Sequence, residues 1–153
     1  MEKLNFRTAT EADLPFILQL AQQDDIGAQR DPLRSDHQSE ALRGLRAINA
    51  DPNHNLIIVE QDGQAVGSFQ LSFITGVSRL GAWRGQIEAV RVSAQSRGQG
   101  IGTEMMRWAL KMREERGCNL VQLTSDRKRE AAHRFYENLG FSASHTGFRL
   151  KLR

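Results

Sequence analysis

The alternation of hydrophobic and polar residues predicts strands and helices along the first half of this chain. Residues 4–9 predict a first strand, and Thr10 with Asp13 resembles a capping box that opens a helix. Apolar residues at helical spacing follow, and a second helical pattern runs over 41–48. Residues 56–73 form two apolar runs around an Asp-Gly turn, which is typical of a β-hairpin.

The second half of the chain predicts a strand, a glycine-rich loop and a helix in direct succession. Further predicted elements are a strand, a helix closed by glycine, and a final bent strand or strand pair. The first strand covers 85–93 and the helix after the loop covers 102–116. The second strand covers 119–125, the second helix covers 129–140, and the final strand or strand pair covers 141–152. Because there is no repeat or linker, the order of elements predicts one mixed α/β domain over residues 1–153.

The composition fits a globular protein, and the sequence argues against a membrane-spanning or a secreted one. The 153 residues are enough for one domain with a core, and no stretch approaches the apolar length of a membrane helix. The N-terminus lacks a secretory pattern, and Cys118 has no partner for an internal disulfide, so we expect a cytoplasmic protein. Cys118 is expected to be a small buried residue rather than a nucleophile.

The net charge and the spacing of the histidines limit the kinds of ligand that we expect. The net charge of +3 suits an anionic ligand, but basic residues are spread among acids without interleaved aromatics, so nucleic acid is not expected. The four histidines show no metal-ligand spacing, so no metal site is predicted.

The segment SRGQGIG places glycines at alternate positions between a strand and a helix. Gly98, Gly100 and Gly102 leave room for a ligand to reach unpaired backbone N–H groups at the helix start, where the helix dipole favours an anion. A tight structural turn is the other interpretation. The spacing does not match a P-loop, which needs Gly-Lys-Ser/Thr, or the G-x-G-x-x-G of dinucleotide-binding domains.

Two motifs together resemble those of the GCN5-related N-acetyltransferases, the GNAT family. One is R-x-x-G-x-G at Arg97, Gly100 and Gly102, and the other is AHRFYENLGF over 132–141. The order of elements around them is also that of the family. The resemblance implies a mixed, mostly antiparallel twisted sheet with a splayed central parallel strand pair, flanked by helices.

The resemblance implies that the glycine loop binds acetyl-CoA. The end of the preceding strand would line the pantetheine arm with Val90, Arg91 and Val92. The pyrophosphate would lie on a loop made of Arg97, Gly98, Gln99, Gly100, Ile101, Gly102 and Thr103. Arg129 stands where the family often has a cofactor-contacting asparagine, so it either reaches a CoA phosphate or the contact is lost.

Two residues are candidates for the chemistry. Glu88 lies in a strand expected to be largely buried, where it either pairs with an arginine such as Arg84 or, by the resemblance, serves as a general base through water. Tyr136 is either a core tyrosine or, by the resemblance, the general acid near the CoA sulfur. Phe135 and Leu139 are expected to be core residues.

The resemblance implies an N-acetyltransferase that moves the acetyl group directly to a primary amine in a ternary complex. The tail over 133–152 is similar to that of enzymes that acetylate aminoalkylphosphonates and amino sugars, so a small amine is favoured as the acceptor. A protein amine stays open as the alternative acceptor. The acceptor site is expected at 27–40 and 72–84. A homodimer is one option, since dimers are common in the family. The alternative is a non-catalytic CoA-binding or protein-interaction module.

Overall fold

The protein is described from a computed structural model, which covers residues 3–24 and 38–152. The chain divides into two compact units, residues 1–122 and 123–153. Within the described ranges no helix is both long and apolar enough to span a membrane.

The first unit is built on a five-stranded sheet in the order β1-β2-β3-β4-β5. The first four strands are antiparallel neighbours, and β4 and β5 form a parallel pair. The predicted mixed sheet flanked by helices is therefore confirmed. The strands are β1 (Leu4–Thr8), β2 (His54–Gln61), β3 (Gln64–Ile74), β4 (Trp83–Val92) and β5 (Cys118–Leu123), and the helices are α1 (Leu14–Gln22), α2 (Gln38–Ala50) and α3 (Ile101–Glu115).

Helix α3 follows the glycine loop and carries an apolar stripe. Met105, Met106 and Ala109 recur at helical spacing and are fully buried. Trp108 stacks on Phe6 with ring centroids 5.2 Å apart. This packing fixes the start of α3 relative to the sheet.

A second apolar cluster joins the helices before β2 to the sheet. Leu45 of α2 packs with Leu56 and Ile58, whose side chains point to one face of β2. At the edge of this cluster, Arg7 forms two hydrogen bonds of 2.7 and 2.8 Å to the Asp13 carboxylate. Those bonds lower the pKa of Asp13 to about 2, and the Thr10 N–H also lowers it. The predicted capping box at Thr10 is present.

The turns of the first unit follow the expected chemistry. Asp62 and Gly63 connect β2 to β3 with φ of 52° and 76°, the pair of positive φ values that a type I′ hairpin requires. The predicted hairpin is thus confirmed. Between β3 and β4, Arg79 and Leu80 also have positive φ, in a short helical turn.

The second unit contains helix α4 (Glu130–Asn138), which ends at Gly140 with φ of 98°. The predicted strand or strand pair over 141–152 is wrong, because these residues form no strand. Apolar alternation alone does not make a strand, which also needs a hydrogen-bonded neighbour. The expected core positions Phe135 and Leu139 are only half-buried, and α4 has no buried residue.

Candidate functional site

Strand β4 has a β-bulge in its second half. Glu88 pairs with Gln70 and Arg91 pairs with Ser68, so two residues of β4 oppose one residue of β3. Ala89 in the bulge has φ of 52°, which non-glycine residues rarely adopt. A bulge re-aims the strand and takes one residue out of the ladder. It places Glu88 and Arg91 on the same face of the sheet.

The strand then enters the glycine loop, whose backbone is left-handed at two points. Gly98 has φ of 77° with open space where a side chain would stand, and Gly100 has φ of 80° at the N-cap of α3. No side chain caps this end, and the first helical bond is from Glu104 N–H to the Gly100 carbonyl. The N–H groups of 101–103 therefore lack helical partners and point toward the loop.

The predicted cofactor residues occupy one continuous segment. Val90, Arg91 and Val92 are half-buried, and the loop residues from Arg97 to Gly100 are exposed. Ile101 is buried in the core, so only its backbone faces the loop. Gly102 and Thr103 are half-buried in the first turn of α3. An uncapped helix start behind open glycine backbone fits a bound phosphate group.

Arg97 and the end of α1 are tied together. The Arg97 guanidinium donates to the Val92 carbonyl at 3.2 Å and to the Gln23 carbonyl at 3.1 Å. The Gln23 side-chain oxygen accepts a 3.0 Å hydrogen bond from Ala94 N–H. Arg91 lies 3.5 Å from the Asp24 carboxylate. The end of α1 is therefore braced against the segment that leads into the loop.

A row of polar side chains crosses one face of β2, β3 and β4. In the register, Ser72 pairs with His54 and Gln86, and Gln70 pairs with Glu88. His54 Nδ1 and Ser72 Oγ are 2.8 Å apart. Gln122 on β5 donates to the Gln86 side chain at 2.9 Å. Four strands thus contribute polar groups to one face, which is unusual for the middle of a sheet.

Glu88 lies in this row, but it is not buried. Its side chain is exposed, so the prediction of a largely buried position is wrong. The structure does not pair it with Arg84 or with any other described arginine within 3–24 and 38–152. The physical reason is that α1 and α2 cover the β2 part of this face, while the β4 part carries polar residues. Its carboxylate is therefore open to water.

Arg84 lies at the start of β4, on the same face as Gln86 and Glu88. Its Nε atom is buried and has no hydrogen-bond partner among the described residues. The Nε atoms of Arg91 and Arg113 are in the same situation, so it is the place of Arg84 in this row, at the end away from the glycine loop, that makes its guanidinium a candidate for an anionic group.

In the second unit, Tyr136 lies on α4 between two aromatic rings. Its ring centroid is 5.2 Å from that of Phe135 and 5.9 Å from that of Phe141. Burial raises the pKa of the Tyr136 phenol, and the charge of Arg129 opposes this. Arg129 is the N-cap residue of α4. The phenol is therefore protonated at neutral pH and able to donate.

The remaining candidates have structural roles. Cys118 is buried at the start of β5, and burial raises the pKa of its thiol, which disfavours the nucleophilic thiolate. His133 on α4 places its Nε2 2.8 Å from the Asp126 carbonyl. Across 3–24 and 38–152 the structure has no group of three potential metal ligands.

Comparison with known proteins assigns the family. Residues 16–141 match the model of the acetyltransferase (GNAT) family. The chain belongs to this family. It is 32% identical over 117 residues to the aminoalkylphosphonate N-acetyltransferase of Salmonella typhimurium, covering 76% of this chain and 75% of that protein. The GNAT fold uses acetyl-CoA, and the assignment confirms the predicted family and acetyltransferase class.

Solved structures agree with the GNAT fold. A transcriptional regulator of Bacillus halodurans superposes with a TM-score of 0.92 at 37% identity, covering 98% of this chain and 100% of that one. A Clostridium acetobutylicum protein described as an acetyltransferase, solved with acetyl-CoA, superposes with a TM-score of 0.75 at 21% identity, covering 98% and 97%. The latter similarity concerns the fold alone.

Sequence reasoning missed most of the polar row of this GNAT protein. Ser72 stands at the first position of the predicted acceptor range 72–84, but Gln70 and Gln86 lie outside it, although both alternate with nonpolar neighbours in their strands. The sequence did offer a signal for this row, because polar residues stand at every second position of strands whose other face is apolar. That signal does not reveal which strands are neighbours, so the row is visible only in the sheet.

Proposed function

We propose that the chain is one N-acetyltransferase domain over 1–153, which transfers the acetyl group of acetyl-CoA directly to a small primary amine that carries an anionic group. The observation that carries the proposal is the uncapped start of α3 behind left-handed Gly98 and Gly100, after the strand whose polar face holds Glu88 and Arg84. The family match crosses the boundary between the two units, which supports a single functional domain.

The pyrophosphate of the donor is held by the backbone N–H groups of 101–103 and by the open backbone of Gly98 and Gly100. The pantetheine arm follows the end of β4 along Val90, Arg91 and Val92. Arg129 is the candidate for a further phosphate contact. When bound, acetyl-CoA supplies an activated acetyl thioester, which needs no covalent intermediate on the chain if both substrates bind together.

Glu88 has the role of general base. An acceptor ammonium must lose a proton before its nitrogen can attack, and an exposed carboxylate can take that proton through a water molecule. Tyr136 has the role of the donor that faces the leaving sulfur. The pKa of this phenol lies above its ordinary value, and the leaving thiolate has a lower proton affinity than the phenolate. The phenol therefore stabilises the thiolate mainly by donating a hydrogen bond to it.

The acceptor class rests on Arg84. The Cα atoms of Arg84 and Glu88 are about 13 Å apart along the strand, since each residue advances the chain about 3.3 Å. Gln86 lies between them on the same face, so an acceptor that reaches from the guanidinium to the carboxylate would lie over the Gln86 side chain. The relative from Salmonella typhimurium is named for an aminoalkylphosphonate, which has an amine and an anionic group.

A substrate panel tests the proposal. Thiol release from acetyl-CoA is followed with an aminoalkylphosphonate, a neutral amino alcohol of similar length, an amino sugar phosphate and a peptide with a free N-terminus. We expect the phosphonate to give the highest kcat/KM. Tight acetyl-CoA binding without amine-dependent thiol release would instead support the non-catalytic CoA-binding module.

Arg84→Gln is expected to raise the KM for the aminoalkylphosphonate about tenfold or more, because a charge-assisted contact contributes about 1.5–3 kcal/mol. The KM for the neutral amino alcohol is the matched control and should not change. Equal changes for both amines would show that Arg84 acts on the sheet and not on the anionic group.

Glu88→Gln is expected to lower kcat/KM about 10²-fold, the lower end of the range for a general base. Amide and carboxylate hardly differ in size, so the change removes the base and leaves the packing. Glu115→Gln is the control, since Glu115 is an exposed residue at the end of α3. Wild-type kinetics in Glu88→Gln would assign the proton transfer to another group.

Gln23→Ala is expected to raise the KM for acetyl-CoA about fivefold, the equivalent of one hydrogen bond of about 1 kcal/mol. The variant loses the bond to Ala94 N–H that braces the segment before the loop. Gln19→Ala, on the exposed side of the same helix, is the control. An unchanged KM in Gln23→Ala would mean that the loop holds its shape without this brace.

A further inference from the structure

Gln86 is the middle residue of the polar face of β4. It alternates with Arg84 and Glu88, so its side chain leaves the same face of the sheet as theirs. The neighbouring Gly85 and Ile87 are buried and belong to the opposite face. Gln86 itself is half-buried. A side-chain amide has both a donor and an acceptor, so the partners of each decide what the strand offers to a ligand.

The neighbouring strand β5 fixes how the Gln86 amide is turned. The Gln122 side-chain nitrogen donates a hydrogen bond of 2.9 Å to the Gln86 Oε1 atom. Gln122 is half-buried as well, so both side chains have restricted freedom. Because its oxygen is engaged by Gln122, Gln86 keeps its two N–H donors for other partners. The oxygen and the nitrogen of an amide point in different directions, so these donors turn away from Gln122.

The donors of Gln86 have no partner in the part of the chain that the structure describes. The hydrogen bond from Gln122 is the only one that Gln86 forms there through its side chain. Its ladder neighbour on β3 is Ser72, but the Ser72 hydroxyl already contacts His54 at 2.8 Å and Gln70 at 3.4 Å. The Gln86 nitrogen also keeps contact with solvent. A ligand on this face can therefore reach it.

These donors lie beside a guanidinium that offers only donors. Arg84 stands two residues earlier on the same face, about 7 Å away between Cα atoms. Its buried Nε atom has no acceptor among the described residues. Two neighbouring donor groups match a ligand group with at least two acceptor oxygens, such as a phosphonate, a phosphate or a carboxylate. A second ammonium group on the ligand would find no acceptor between Arg84 and Gln86.

We propose that Gln86 selects the acceptor by donating a hydrogen bond to an oxygen of its anionic group, and that Gln122 is the positioning residue that turns the Gln86 amide for this contact. Arg84 then supplies the charge, and Gln86 supplies a directed neutral contact to a second oxygen. The ligand's role as acetyl acceptor rests on the proposed function, but recognition of the oxyanion does not need the transfer. Amines with a second cationic end are disfavoured.

Side-chain amide NMR of the full chain tests the contact without an amine or acetyl-CoA. Methylphosphonate is the probe, because it has the oxyanion alone. We expect it to shift the N–H resonances of Gln86. Gln86→Met should weaken methylphosphonate binding about tenfold or more, because a hydrogen bond to a charged group is lost. Gln64→Met is the matched control, with the same replacement at the exposed start of β3, and should leave binding unchanged.

Gln122→Glu tests the positioning role, because a carboxylate only accepts hydrogen bonds. Gln86 should then turn its N–H groups to the new carboxylate and present its own oxygen to the ligand. We expect methylphosphonate binding to weaken about tenfold or more. In the Gln86→Met background the same change should have at most about a twofold effect, since the two residues act as one unit. Equal losses in both backgrounds would mean that the added charge acts and the amide does not.

The outcomes separate this inference from the proposed function. No binding of methylphosphonate at millimolar concentration, binding that leaves the Gln86 amide unshifted, or undiminished binding in folded Gln86→Met would each overturn the inference. If methylphosphonate binds through Gln86 but no amine is acetylated, the proposed function fails and the oxyanion contact stands. If amines are acetylated without preference for an oxyanion and the Gln86 amide does not shift, the inference fails and the acetyl transfer stands.

Discussion

Gly100→Val is expected to weaken acetyl-CoA binding by about 10²-fold or more while the chain stays folded. Gly100 has φ of 80° at the start of α3, where the backbone N–H groups that follow are open. A β-branched side chain there stands in the path of an incoming phosphate and strains the backbone. Each tenfold loss corresponds to about 1.4 kcal/mol of binding free energy. Isothermal titration calorimetry measures the loss directly.

Gly63→Val separates this effect from backbone strain. Gly63 has φ of 76° in the hairpin turn, with open space around its Cα, so valine is strained there to a similar extent. Both variants should lose about 1–3 kcal/mol of unfolding free energy. Only Gly100→Val should lose affinity for acetyl-CoA. If folded Gly100→Val binds acetyl-CoA with undiminished affinity, the phosphate does not bind at this loop.

Tyr136→Phe is expected to lower kcat about tenfold or more and to leave the KM for acetyl-CoA nearly unchanged. The ring contacts with Phe135 and Phe141 remain, so the hydroxyl alone is removed. A donor to the leaving sulfur acts mainly in the transition state, and such groups contribute about 10²–10⁴-fold in general acid–base catalysis. Steady-state kinetics with saturating amine measures the effect.

Phe141→Leu is the control for packing around Tyr136. It disturbs the edge contact with the tyrosine ring but removes no proton donor. We expect a lower melting temperature with little change in kcat. If Tyr136→Phe lowers only the melting temperature as well, the tyrosine is a structural residue, and water or a backbone group faces the sulfur.

The parts of the site that lie close together in the chain could be predicted from the sequence. The strand end, the alternate glycines and the start of α3 follow one another over about twenty residues, and their local chemistry determines the turn and the helix start. The Asp62-Gly63 hairpin is of the same kind, since positive φ at both residues selects the turn.

Features that depend on neighbours distant in the chain could not be predicted. His54, Ser72 and Gln86 lie on three strands, and only the register brings them into one row. Glu88 was expected to be buried because β4 is rich in apolar residues, but burial depends on which face the helices cover. The alternation at 148–152 predicted a strand, whereas the segment has no ladder neighbour in its own unit.

The most direct test of acetyl transfer is mass spectrometry of an aminoalkylphosphonate after incubation with the protein and acetyl-CoA. We expect one acetyl group to be added to the amine in step with the release of free CoA thiol. Wild type and Gly63→Val should both form the product, and Gly100→Val should not. Thiol release without acetylated amine, or tight acetyl-CoA binding with no product from any amine of the panel, would contradict direct acetyl transfer.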